Sequence, residues 1–325
     1  MHPLSLFGST NLVLLFHTVP SSHWFRNTLR TIKHLYRFIS AEDIESYYYT
    51  SKNFNNCCHI CFDDGTRSVY EHAFPVLQEM NIPATLFVSP KVISEESNYW
   101  FQELKYIRNH LSDNVVKEMI CETLNCKYEY IKKYRVLSLF KCMKLKDILQ
   151  VIAAIKEKYG ITIDKKYNLT KDQLLELNNS NLITIGAHTM NHPILHNETE
   201  DDAEKEIRES IQKLSNMLNK DINYFSYPNG IVGLDYGVRE QSVLQKNKNK
   251  LAFSTNNDFF NKKINPLNIP RSGFSGLKIE NTAYIFGKLF MIPMWNTILD
   301  IRVLGKTERR ERKEIKNLSI FNKYP

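Results

Sequence analysis

Short runs of apolar and β-branched residues recur along the chain, separated by stretches with apolar positions at helical spacing. Leu12–Phe16, Ile60–Phe62, Ala84–Val88, Leu182–Ala187, Tyr224–Tyr227, Leu251–Thr255 and Asn268–Pro270 read as strands, since each is short, apolar and flanked by polar or turn residues. Thr28–Tyr36, Val69–Met80, Asp172–Asn178, Asp201–Leu218 and Tyr236–Gln245 read as helices. Acids in Thr199-Glu200-Asp201-Asp202 open the fourth of these, where the positive end of the helix dipole favours negative charge. Repeated strand–helix alternation predicts an α/β fold with a parallel sheet closed into a barrel.

One segment breaks this rhythm. Tyr99 to Tyr159 carries Leu and Ile at helical spacing with no strand pattern, and reads as a helical insertion after the Ala84–Val88 strand. The expected division is a barrel over 1–277, with 97–165 as the insertion, and a C-terminal tail over 278–325. In that tail, Tyr284–Leu304 is apolar but interrupted by Lys288, Pro293, Asp300 and Arg302, so it makes a poor spanning helix. Lys306, Arg309, Arg310, Arg312 and Lys313 follow. From Arg302 onward there are eight Lys/Arg against three Glu, which is +5 of the formal +8. Two readings stand: an amphipathic, basic segment lying on an anionic membrane surface, and a helix packed on the barrel with a solvated end.

The 325 residues suffice for one large α/β domain or two smaller ones, with 42% hydrophobic and 24% charged residues typical of a globular core. Six scattered cysteines do not suggest disulfide staples in so long a chain. Cys58 and Cys61 form a Cys-x-x-Cys spacing, but on a strand they point to opposite faces and cannot share an ion. Leu12–Phe16 is too short for a signal core and no cationic segment precedes it. The expected location is therefore cytoplasmic, with peripheral contact at the inner membrane surface through the tail; no nucleic-acid partner is expected.

The candidate chemistry clusters at strand ends. His17 follows the first strand, Asp63 and Asp64 the second, His188 the fourth, Pro228–Gly230 the fifth and Arg271 the seventh. In parallel barrels this edge carries the catalytic groups. Paired acids before Gly often only form a turn, but here an apolar strand precedes them. His188 and His192, spaced i, i+4 and followed by Pro193, can face one ion on a compact loop. With one carboxylate they would form a three-ligand site with an open position, as catalytic zinc requires. The second carboxylate would then stand beside the water to take its proton.

Phe62-Asp63-Asp64-Gly65, His188-Thr189-Met190-Asn191-His192-Pro193 and Phe225-Ser226-Tyr227-Pro228-Asn229-Gly230, in this order, resemble the polysaccharide deacetylases, the NodB-homology group of carbohydrate esterase family 4. Thr170-Lys171-Asp172-Gln173-Leu174 through Ala187-His188 also resembles the family's approach to its histidine motif. The likeness spans roughly residues 10 to 275 without the insertion. It implies a distorted (β/α)7 barrel and metal-dependent removal of acetyl groups from sugars. Residue by residue, it implies Asp63 as general base and Asp64, His188 and His192 as metal ligands, with Zn2+ the expected ion. It also implies the Asn229 main-chain N–H as an oxyanion donor, with Tyr227 and Pro228 lining the sugar site.

Two departures stand out. Ser226 occupies the position where the family often has an Arg, and no His follows His196 to supply the usual general acid. Leu15-Phe16-His17 resembles the N-terminal element of members with permuted motif order, which implies His17 as the proton donor. Arg271 is the candidate for the missing cation beside Asp63, its alternative being a salt bridge at the barrel rim. The expected function is N-deacetylation of amino sugars in a surface polysaccharide or its lipid-linked precursor. Formamide or cyclic-imide hydrolysis on the same site, or a non-catalytic membrane-associated scaffold, are the rival readings.

Overall fold

The computed structural model describes residues 11–274, 303–321 and four positions between them. Its centre is a parallel sheet built from β1 (Leu12–Phe16), β2 (Arg37–Phe38), β3 (Cys57–Phe62), β4 (Ala84–Val88), β5 (Ile183–Ala187), β6 (Tyr224–Ser226), β7 (Leu251–Phe253) and β8 (Ser272–Gly273). Seven of these run in the order β7-β6-β5-β4-β3-β1-β8, and the short β2 pairs with the start of β3. The ends of this strip meet through one segment. Ile269 bridges to Phe253 on β7, and Ser272 and Gly273 pair with Leu14 and Leu15 on β1. The result is the distorted (β/α)7 barrel that the motifs implied.

Each strand sorts its residues by alternation. Leu12, Leu14, Phe16, Cys58, Ile60 and Phe62 face the helical layer. Val13, Leu15, Cys57, Cys61, Phe87 and Phe253 belong to a separate cluster on the other face. Cys58 and Cys61 thus sit in different clusters, as strand geometry requires, and both are buried free thiols.

The outer helices are set by local signals. In α1 (Ser22–Lys33), Ser21 Oγ accepts the Trp24 N–H, which starts the helix well before the expected Thr28. A βα unit formed by β2 and α2 (Ala41–Tyr49) was absent from the pattern reading, because two strand residues are too few to show alternation. The expected helix Val69–Met80 is divided into a π-helical turn, Val69–Ala73, and α3 (Phe74–Met80). Pro75 explains the division, since it has no N–H for an i→i−4 bond.

The insertion is helical throughout its ordered elements: after α4 (Pro90–Ser94) come α5 (Trp100–Arg108), α6 (Asp113–Leu124), α7 (Tyr128–Ile131), α8 (Val136–Phe140) and α9 (Leu145–Tyr159). The barrel resumes with α10 (Lys171–Asn178), α11 (Glu200–Leu218) and α12 (Val238–Lys246). Thr170 and Gln173 form a reciprocal capping box at the start of α10.

The separate tail is corrected by the C-terminal helix, Val303–Asn317. Ile315 and Ile320 belong to the insertion's own core. Glu311 accepts from Arg135 Nε at 3.0 Å and Ser138 Oγ at 2.5 Å. Arg312, expected among the exposed basic residues, is fully buried against Asp235 at 2.5 Å. Much of Tyr284–Leu304 lies outside the described residues, but Ile285, Leu289 and Ile292 are buried in the barrel's main cluster. The described part of this stretch is a helix packed on the protein, with Arg309, Arg310 and Lys313 on its solvated face. Among the described residues, no helix is long and apolar enough to cross a membrane.

Candidate metal-centred active site

Three chain segments from the C-terminal edge of the sheet converge. The turn after β3 carries Asp63 and Asp64, the loop after β5 carries His188 and His192, and the loop after β6 carries Asn229. Parallel register fixes their relative height. Phe62 pairs with Phe16 and Leu86, and Ala187 pairs with Val88 and Phe225, so their strands end near one level.

Asp64, His188 and His192 place one ligand atom each within 4.8 Å of one another, all three residues buried. Asp64 Oδ1 lies 3.6 Å from His188 Nε2 and 3.6 Å from His192 Nε2. The His188 tautomer is fixed from behind: Nδ1–H donates to the Ser226 carbonyl at 2.7 Å, so Nε2 presents its lone pair. Burial holds His192 well below the ordinary imidazole range, which keeps it neutral. Asp64 Oδ1 is buried with no hydrogen-bond partner among the described residues. An orphaned carboxylate oxygen facing two imidazole nitrogens is costly without a cation and suited to one. The donor set therefore fits a divalent metal.

The backbone here is unusual. Asp64, Gly65, Thr189, His192, Asn229 and Gly230 all have φ between 58° and 71°. Such conformations cost free energy and persist where surrounding structure enforces them. Gly65 is obligatory on two grounds, because a Cβ there would stand 2.8 Å from Val88 Cγ1 as well as adopting φ +61°.

Asp63 sits beside this cluster, its Oδ2 3.9 Å from His188 Nε2. Arg271 grips it with two bonds, Nη1 to Oδ1 at 2.7 Å and Nη2 to Oδ2 at 2.8 Å. Both side chains are removed from solvent. Arg271 also donates to Ser226 Oγ at 2.8 Å and to the Ser254 carbonyl at 2.8 Å. Burial raises the Asp63 carboxyl, but the charge of Arg271 overrides it, leaving Asp63 well below the usual carboxylate range. The first of the two sequence departures is thus accounted for. Ser226 is small where an Arg was expected, and the guanidinium arrives from the segment before β8 instead.

His17 is exposed, at the end of β1. Thr66 Oγ1 donates to its carbonyl at 2.6 Å, tying the His17 and Asp64 turns together. The Asn229 main-chain N–H makes no hydrogen bond among the described residues, while Gly230 N–H bonds Pro228 O at 2.7 Å. Tyr227 and Pro228 are both buried. The Tyr227 hydroxyl donates to Leu267 O at 2.9 Å and its ring stacks on Tyr236 at 3.6 Å. Tyr227 supports the loop from beneath and offers no surface to a sugar.

The sequence reading missed the ring of supports. Glu206 on α11 accepts from Met190 N–H at 3.0 Å, Asn191 N–H at 2.9 Å and Asn191 Nδ2 at 2.6 Å. Tyr99 Oη donates to Asp64 O at 3.0 Å, and Trp100 Nε1 donates to His192 O at 2.9 Å. Only the run Tyr99-Trp100-Phe101 beginning the insertion could have hinted at this. Glu206→Ala is expected to weaken metal affinity by about 10- to 100-fold, as loss of supports behind ligands does; competition with a chromogenic chelator measures it.

A family profile described as polysaccharide deacetylase matches residues 51–125 and 128–249, more than half of the chain. No curated protein matches. Among solved structures, the chain is similar to the Streptococcus pyogenes deacetylase PplD in complex with acetate, at 17% identity and TM-score 0.55, over 86% of this chain and 97% of that one. It is also similar to IcaB from Ammonifex degensii, at 17% identity and TM-score 0.58, over 87% and 98%. The BpsB deacetylase domain from Bordetella bronchiseptica aligns at 14% identity and TM-score 0.53, over 81% and 95%. At such identities these likenesses concern the fold. The profile match settles membership: this chain belongs to the polysaccharide deacetylase family, whose members are hydrolases of carbon–nitrogen bonds other than peptide bonds.

Proposed function

We propose that this protein removes N-acetyl groups from amino sugars of a surface polysaccharide or its lipid-linked precursor. The observation that carries the reading is the convergence of Asp64, His188 and His192 beside an Asp63 held ionised by Arg271. Asp64 and the two imidazoles would hold a divalent ion, Zn2+ by the chemistry of the donors. When bound, that ion supplies the positive charge that polarises the acyl carbonyl and acidifies water.

The chain's own groups account for the proton movements. Asp63 takes a proton from the attacking water, a role open to it because Arg271 keeps it ionised. The Asn229 main-chain N–H donates to the developing oxyanion, a contribution of about 3 kcal/mol where such donors have been removed in other enzymes. His17, exposed at the end of β1, donates a proton to the departing amine as the C–N bond breaks. Acetate and a free amino sugar are the products.

Stripping the protein with a chelator is expected to abolish acetate release from N-acetylglucosamine oligomers, and added Zn2+ is expected to restore it. Undiminished release after complete stripping would overturn the proposal. Formamides and cyclic imides assayed alongside test the choice of substrate class.

A further inference from the structure

Away from the metal ligands, a cavity of about 230 Å³ opens where three parts of the chain meet. Lys144 lines it from the turn between α8 and α9, and His196 from the loop after β5. Ile315, Lys316, Ser319 and Phe321 line it from the C-terminal helix and the turn beyond. Among the described residues, no Asp or Glu does so. Positive charge is in excess around it. Lys316 is half-buried, and burial lowers it from the ordinary lysine range. Its Nζ donates to a neutral acceptor, the Leu234 carbonyl, at 3.0 Å, which leaves two N–H groups to place. Arg312, one helical turn earlier, is fully buried, and its Nε and Nη1 have no hydrogen-bond partner among the described residues. Asp235 accepts from Arg312 Nη2 at 2.5 Å and from the Ile231 N–H at 2.9 Å, so it offsets one of these cations. Glu198, the acid nearest to His196 in the sequence, is turned to the Leu145 N–H at 2.7 Å. Buried cations short of counter-charge are costly, and an anion in the cavity relieves that cost.

We propose that this cavity is a phosphate site, taking the phosphate group of a small phosphorylated solute or of a lipid headgroup. Lys144, His196 and Lys316 reach it from three separate elements, so a ligand must present oxygens in several directions. A tetrahedral phosphate does so, and a planar carboxylate does not. Lysines bind phosphate as point charges, without the paired geometry that an arginine imposes. Ile315 and Phe321 give the carbon part of a phosphate ester an apolar wall. His196 stands four residues after His192, so occupancy would tie the ligand loop to the insertion and the C-terminal helix. None of the lining residues is a metal ligand, Asp63 or Arg271, so the site does not depend on the deacetylase reading.

The test titrates full-length, zinc-loaded protein with inorganic phosphate and with glycerol phosphate, read by calorimetry and by melting temperature. Saturable binding is expected, with a melting temperature that rises with ligand concentration. Lys144→Glu and Lys316→Gln should each weaken affinity by about 10-fold or more, the scale of one charged hydrogen bond. Lys144→Arg should keep it. Lys144 is half-buried at the start of α9, so its variants test the site even where Lys316→Gln fails to fold. Flotation with vesicles containing phosphatidic acid separates the two sources. Capture that inorganic phosphate reverses assigns a lipid headgroup; phosphate binding without capture assigns a solute. Absence of saturable phosphate binding would overturn the proposal. Binding undiminished by Lys144→Glu would overturn it as well, because the ion would then sit elsewhere, on the zinc above all.

Discussion

Asp63→Asn is expected to lower acetate release by about 100- to 10,000-fold, the range that a positioned general base contributes. Zinc affinity should hardly change, because Asp64, His188 and His192 form the ligand cluster without Asp63. The split between the two readouts is what makes the prediction specific. An Asn amide still accepts one hydrogen bond from Arg271 but cannot take a proton from water at neutral pH. Isothermal titration with Zn2+, run beside an acetate assay, measures both quantities. Near-wild-type turnover with metal bound would remove Asp63 from the base role.

Arg271→Met should destabilise the fold by about 3–5 kcal/mol, since it strands a carboxylate in the barrel with its counter-charge gone. The pH dependence carries the sign. In the wild type, the Asp63 carboxyl is held below its unfolded value. Its contribution to stability is therefore full above the ordinary carboxylate range and is lost as pH falls through that range toward the depressed value. In the variant, burial without Arg271 pushes the same carboxyl upward, so protonation relieves the penalty. The gap in stability between wild type and variant should narrow on acidification. Urea unfolding at neutral and mildly acidic pH measures it; a gap that widens toward low pH would contradict the ion pair as the cause.

Much of the barrel could be read before any coordinates were known. Leu12–Phe16 and Ala84–Val88 are strands to the residue, because continuous apolar runs of that length are buried on both faces of a parallel sheet. Elements below the length of a periodic signal were not legible. β2 has two residues, and the segment closing the barrel pairs through Ile269 on one side and Ser272–Gly273 on the other. The cationic C-terminal stretch misled for a related reason. Charge counts do not reveal that Arg312 has a buried Asp235 waiting 77 positions away in the chain.

The site divides along the same line. Local order of residues marked the candidate ligand set, since i, i+4 imidazoles before a Pro and paired acids before a Gly are short-range features whose chemistry travels with them. The sequence also narrowed the source of the missing cation to Arg271. Only the tertiary structure decided that this guanidinium reaches Asp63 over the small Ser226 side chain. It alone decided that Tyr227 is buried, and that the insertion and α11 support the ligand loops. Those outcomes depend on which strands lie side by side and how deep each side chain sits, quantities set by packing across the whole chain and carried by no single stretch of it.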